Sequence, residues 1–200
     1  MLGHGFTPPR RETLHHEQFW FDPILRIGQV GASRALVAVG LALIVQAPAG
    51  AQDVPFLESP ESVVEAMLEL AQVSETDVVY DLGSGDGRIV IAAAASRDAR
   101  GVGVEIESDL VEQSNDSARD AGVEDLVTFV QGDFFETDFS EATVVMLYLQ
   151  PKVNKQLRPI LSEQLAPGTR VVSHRYEIRD WTAIERVKVE GRSIFLYVIP

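Results

Sequence analysis

Apolar positions along the chain change rhythm several times, and each change marks an element. Val63, Val64, Met67, Leu68, Leu70 and Ala71 recur at helical spacing. Ahead of them, Ser59-Pro60-Glu61 reads as an N-cap, a proline at the first helical position and an acid in the first turn. Asp77 to Leu82 is a short β-branched run that ends in glycines and feeds an alanine-rich helix, Arg88–Ser96. Strand Gly101–Ile106 and helix Asp109–Ala121 follow, the latter closed by Gly122. Strand Val127–Gln131 comes next, then Thr143–Leu149, continuously apolar apart from its ends, as a strand covered on both faces should be. A helix opens at Pro151 and is kinked or restarted at Pro159 before strand Thr169–His174. The C-terminal rhythm differs. Ala183–Val189 and Ser193–Ile199 flank Glu190-Gly191, which predicts an antiparallel hairpin. Five β-units with helical crossovers plus this hairpin predict an α/β domain, a mostly parallel sheet with helices on both faces.

The N-terminal part does not share this pattern. Residues 1–34 sustain neither period, and Ala35 to Val45 then runs eleven residues without a charge. Arg34 before that run, with Ala49 and Ala51 after it, makes a secretory signal peptide cleaved after Ala51. The chain thereby divides into a leader, 1–51, and a domain, 52–200. The run falls short of the roughly 20 residues that span a bilayer as a helix. A cleaved signal implies a periplasmic protein, an uncleaved one an anchor near a membrane, and a segment that is no signal a cytoplasmic protein.

Composition removes several functions. A net charge of −13 with no basic stripe argues against nucleic acid as partner. The chain has no cysteine, which excludes disulfides, thiolate metal sites and cysteine nucleophiles. His4, His15 and His16 precede the expected cleavage, no ligand cluster follows, and no metal is expected.

The candidate chemistry lies in Val78 to Ile91, where a strand passes through Gly83, Gly85 and Gly87 into a helix and leaves bare backbone N–H groups for a ligand. A dinucleotide fingerprint needs its third glycine one residue later, where Arg88 stands. No Gly-Lys-Ser/Thr closes the loop, which rules out a P-loop. Asp81 at the strand end would repel a pyrophosphate but suit a ligand with an ammonium group and no phosphate. S-adenosylmethionine has that chemistry. A nicotinamide oxidoreductase on a similar fold and a non-catalytic S-adenosylmethionine-binding domain remain as alternatives.

Asp81-Leu82-Gly83-Ser84-Gly85-Asp86-Gly87 resembles the first motif of class I, Rossmann-like, S-adenosylmethionine-dependent methyltransferases, and the resemblance covers roughly residues 59–200. It implies that Asp81, Gly83, Ser84, Gly85 and Gly87 hold the cofactor. Glu105, with Ile106 beside it, would take the ribose hydroxyls. Asp133 would accept from the adenine amino group, with Phe134 packed on the ring. Several residues here have a plainer reading: Glu105 as a dinucleotide-ribose ligand or a solvated strand end, Asp133 as the cap of its turn, Asp86 as a helix N-cap, Phe134 and Phe135 as core.

The acceptor in this architecture lies beyond strands four and five, at Tyr148-Leu149-Gln150-Pro151 and Ser173-His174-Arg175-Tyr176. The Asp/Asn-Pro-Pro-Tyr/Phe motif of amino-methylating DNA and glutamine enzymes is absent. Met146-Leu147-Tyr148-Leu149, Asn154, Leu157-Arg158-Pro159 and Pro167 through His174 are similar to small protein-lysine methyltransferases, above all the ATP synthase c-subunit lysine methyltransferase family and its bacterial relatives. The resemblance implies a protein lysine as acceptor. Arg175 departs from it, standing where an acid is expected. Tyr148 would orient an acceptor amine or close the core. His174 would accept a proton near neutral pH or serve structure. Trp181 would wall the pocket or cover the sheet edge.

Overall fold

The computed structural model describes residues 58–200; the leader, with its signal-peptide reading, lies outside them. The elements in order are α1 (Glu61–Leu70), β1 (Val78–Leu82), α2 (Arg88–Arg97), β2 (Arg100–Glu105), α3 (Ser108–Ala121), β3 (Val127–Gln131), β4 (Val144–Leu147), α4 (Pro151–Gln164), β5 (Arg170–His174), β6 (Glu185–Val189) and β7 (Arg192–Val198). They build one seven-stranded sheet in the order β3-β2-β1-β4-β5-β7-β6. The first five strands pair in parallel, and β7 inserts antiparallel between β5 and β6. The expected Rossmann-like sheet and terminal hairpin are both present. Glu190 and Gly191 have φ of 48° and 80°, the backbone that a two-residue hairpin turn of type I′ requires.

Strand alternation sorts the core into two layers. Val79, Val144, Met146 and Val172 point to the face covered by α1 (Val63, Val64, Met67, Leu68) and α2 (Ile89, Val90, Ala93). Val78, Tyr80, Leu82, Val145, Leu147 and Val171 point to the other, where Leu157 and Leu161 of α4 pack with Phe139. β1 and β4 are buried along their whole length, which is why β4 reads as an unbroken apolar run and β1 as one interrupted only by Asp81.

Three expectations need correction. No helix links β3 to β4; residues 132–143 form turns, and Phe134, Phe139 and Ala142 fill the layer that a crossover helix would have covered. α4 runs unbroken through Pro159, because Pro159 and Lys155 both lie on its exposed side, where solvent can take the freed carbonyl. Ser59 does not cap α1. Pro60 is the N-cap, with φ −58° and ψ 150° and no side-chain cap bond, and the Ser59 hydroxyl is committed elsewhere.

Candidate functional site

The C-terminal ends of β1, β2 and β3 converge on the loop 83–87. Gly83, Gly85 and Gly87 have φ of 84°, 56° and 78°, a region where a side chain is strained. The N–H groups of Gly83 and Ser84 donate to the Val104 carbonyl at 2.9 and 3.0 Å, folding the loop back on β2. Ser114 of α3 donates to the Gly85 carbonyl at 3.0 Å. Glu105, at the end of β2, accepts from Gly85 N–H at 2.8 Å through one carboxylate oxygen, and from Ile106 and Glu107 N–H at 2.8 and 3.1 Å through the other. Glu105 therefore holds the loop in shape, whatever else it binds.

Asp81 is 3 % exposed, one residue before β1 ends. Burial first, then the charges of Glu105 and Asp86, push its pKa well above the ordinary carboxylate range. Such a group lacks a cation. The Ser84 hydroxyl beside it is buried with no partner among the described residues. An ammonium-bearing ligand seated on this loop would relieve Asp81 and give Ser84 a partner, so these residues fit S-adenosylmethionine and not a pyrophosphate. Asp86 does not serve as a helix cap: Gly87 is the N-cap of α2, and the Asp86 carboxylate takes the Arg88 guanidinium at 2.9 Å and its N–H at 3.3 Å.

After β3, one carboxylate oxygen of Asp133 accepts from Phe135 N–H at 2.8 Å, so Asp133 does order its turn. Phe134 is buried among the β1 and β4 side chains, and its ring would lie 3.8 Å from a Cβ placed on Gly83. It forms the floor under the loop. Phe135 is the less buried ring, 4.8 Å from it.

The wall on the β4 and β5 side is built from Tyr148 and His174. β4 ends at Leu147, so Tyr148 stands just past the sheet, lining a cleft with Asp81, Gly83, Ser84, Asp86, Arg88, Glu58 and Ser59. The His174 ring lies against it, with centroids 3.9 Å apart and 35° between planes. His174 is fully buried, and burial, then the charges of Arg192 and Arg175, lower its pKa to about 4. The expectation that it accepts a proton near neutral pH is corrected by that burial: the ring is neutral and works as a stacking and hydrogen-bonding group. Arg175 turns sharply after β5, with φ 69°, and the nearby Tyr148 side chain raises the pKa of its guanidinium. Trp181 packs on Tyr197 at 5.7 Å, in a separate cleft with Thr182, Ile184 and Arg186, so it covers the sheet and not the acceptor wall.

Two buried polar residues were not singled out from the sequence. Ser59 bonds His174 across 115 residues, and its Ser-Pro-Glu context reads only as a helix start. Asn154, quoted only as part of a resemblance, sits one turn into α4 with both side-chain polar atoms buried and without a partner among the described residues.

Comparison with known proteins agrees with this geometry. The model of the ANTKMT methyltransferase domain family matches residues 81–185. A protein-lysine N-methyltransferase of Saccharolobus islandicus (strain REY15A) is 48 % identical over 151 residues, 73 % of this chain and 94 % of that protein. The lysine N-methyltransferase of the ATP synthase c-subunit from Xenopus laevis is 33 % identical over 127 residues; the match spans 64 % of this chain but only 55 % of that protein. Among solved structures, an RNA methyltransferase from Salinibacter ruber in complex with S-adenosyl-L-homocysteine is 58 % identical, with a TM-score of 0.71 over 72 % of this chain and 94 % of that one.

Proposed function

Because the chain belongs to the ANTKMT methyltransferase family and is an S-adenosylmethionine-dependent methyltransferase, we propose that it methylates the side-chain amine of a protein lysine. The observation that carries this reading is the 48 % identity to a protein-lysine N-methyltransferase over 94 % of that protein.

We assign the cofactor to Asp81, Gly83, Ser84, Gly85 and Gly87, with Glu105, Ile106, Asp133 and Phe134 along its nucleoside end. The bound cofactor supplies an electrophilic methyl group on a sulfonium, and the protein's part is alignment and exclusion of water. A lysine must lose its proton before it attacks. His174, held at about 4, is too weak a base to take it near neutrality, so the proton leaves to solvent and the amine arrives neutral. Tyr148 lines the cleft, and its hydroxyl would hydrogen-bond that amine. The rate should therefore climb steadily above neutral pH, with no inflection at an ordinary histidine pKa; a plateau starting near pH ~6.5 would point to a histidine base after all.

RNA is the second reading, since one close structural relative is described as an RNA methyltransferase. The net charge of −13 opposes it, because binding of a polyanion rests on phosphate neutralisation. The two separate in one experiment. The full chain is incubated with methyl-labelled cofactor and a cell extract, and the product is split between protease and ribonuclease. Label released by protease and recovered as N-methyl-lysine supports the proposal; label released by ribonuclease overturns it.

For location, we propose that the apolar segment 35–45 directs the domain to a membrane, as a cleaved export signal or as an anchor. Cell fractionation with N-terminal sequencing tests it. A mature start at Gln52, or an intact chain in the membrane fraction, supports it, and an intact chain in the soluble cytoplasm contradicts it.

A further inference from the structure

The segment just before α1 bridges the two halves of the site. The Ser59 hydroxyl lies 2.9 Å from His174 Nδ1, and the pair is buried. The Ser59 carbonyl accepts from Arg88 Nη1 at 3.1 Å, and Arg88 is held by Asp86 of the cofactor loop and by Glu58 at 3.0 Å. Ser59 thus touches the loop through its backbone and the acceptor wall through its side chain. It also lines the cleft that both share with Tyr148. No helix-capping duty accounts for its hydroxyl, since α1 makes no side-chain cap bond.

The other side of the histidine sharpens this. Nε2 is buried and has no partner among the described residues, so within them the bond to Ser59 is the hydrogen bond that orients the ring; the hydroxyl can donate to Nδ1 or accept from it, so it serves either neutral tautomer. His174 in turn supports the ring of Tyr148 at 3.9 Å. Without that bond packing alone would hold the ring. That is a poor backing for a residue that must align an amine.

We propose that Ser59 is a positioning residue for methyl transfer: its hydroxyl fixes the orientation of the His174 ring and, through it, the ring of Tyr148, while its carbonyl ties that arrangement to the cofactor loop through Arg88. The role in transfer rests on the proposed function; the effect on the His174 ring does not. Because the loop contact runs through the backbone, removing the hydroxyl acts on acceptor alignment and leaves cofactor binding nearly intact.

The test compares Ser59→Ala, Ser59→Cys and Ser59→Thr in the full chain, with Ser62→Ala as a control on α1. Ser62 bonds Glu190 on the exposed side, away from the site. Three readouts are taken: the His174 ring-nitrogen resonances by NMR, the affinity for S-adenosylhomocysteine by calorimetry, and the initial rate of labelled methyl transfer into extract protein. Wild type should show a neutral ring with its Nδ1 resonance shifted by a hydrogen bond. Ser59→Ala should move the Nδ1 resonance towards that of a ring nitrogen with no hydrogen bond. It should cut the transfer rate about tenfold, the order expected for one lost aligning hydrogen bond, and change the affinity less than about threefold. Ser59→Thr should restore both signals, and Ser62→Ala should alter none.

Should Ser59→Ala fail to fold, Ser59→Cys keeps the volume and weakens the bond, and the same shifts are expected from it. Unchanged His174 resonances in the substituted chain overturn the proposal, as does a rate loss that Ser59→Thr does not rescue. Shifted resonances with no transfer to protein in wild type would instead count against the lysine reading while leaving the anchoring of the His174 ring standing.

Discussion

Asp81 concentrates the chemistry of the site in one carboxyl group. Its folded pKa is raised, so in the ligand-free protein it is stabilising only while protonated. That contribution is complete below the unfolded value and is lost as pH rises through the raised one. Asp81→Asn should therefore leave the free protein as stable as wild type or more so at neutral pH, by urea unfolding, with the difference vanishing in acid. The same change should weaken S-adenosylhomocysteine about tenfold or more, as loss of a charge-assisted hydrogen bond does. Lower stability together with unchanged affinity would remove Asp81 from the cofactor site. His174 has the opposite shift. Between its folded value of about 4 and an unfolded value near ~6.5 only the unfolded chain takes up the proton, so acidification across that window destabilises the fold. An NMR titration should find the His174 ring neutral down to about pH 5; a midpoint near ~6.5 would contradict the burial argument. Asp81 was legible in the sequence because an acid before closely spaced glycines has few structural uses. The neutrality of His174 was not, because it depends on tertiary burial and on Arg192, eighteen residues away.

At the scale of the element, the loop 83–87 keeps its shape through two kinds of constraint. One is steric. A Cβ on Gly87 would lie 2.5 Å from the Phe129 ring at a φ of 78°, and one on Gly103 would meet that ring at 2.6 Å and Ser84 Oγ at 2.7 Å. Gly87→Ala adds strained backbone to overpacking, and should cost about 3 kcal/mol in chemical denaturation. A loss under about 0.5 kcal/mol would mean that the loop is not held against β3 as described. The other constraint is Glu105, with three backbone N–H groups on one carboxylate. Glu105→Gln turns a donor towards some of those N–H groups and should cost about 2 kcal/mol of stability as well as cofactor affinity. An effect on affinity alone would make Glu105 a ligand contact without the structural role. The spacing of the glycines announced this loop, and period and glycine placement announced most helices and strands. Alternation from strand to helix misled between β3 and β4, where Phe134 and Phe139 bury enough apolar surface to dispense with a helix.

Over the whole molecule, the sheet is fastened at the end opposite the site. Asp77, before β1, accepts from Ser74 N–H at 2.9 Å and from the Thr143 hydroxyl at 2.6 Å, and pairs with Arg170 at the start of β5. Arg170 also donates to the Ala71 carbonyl at 2.5 Å, so this cluster joins the end of α1 to three adjacent strands. Burial works against the charge of Asp77, but the bonds from Thr143, Ser74 and Arg170 prevail and its pKa is lowered. Its contribution is present above the unfolded carboxylate value and disappears as pH falls through the lower folded one. Asp77→Asn should cost about 2 kcal/mol at neutral pH and less in acid, with cofactor affinity unchanged. This division, fastening at one end and chemistry at the other, leaves the C-terminal ends of the strands free to hold a ligand. Calorimetric titration of the full chain with S-adenosylhomocysteine, and separately with NAD, goes to the centre of the account. One saturable site for S-adenosylhomocysteine and no heat with NAD is the expected result. Saturable NAD binding, or no binding of S-adenosylhomocysteine to folded protein, would contradict it.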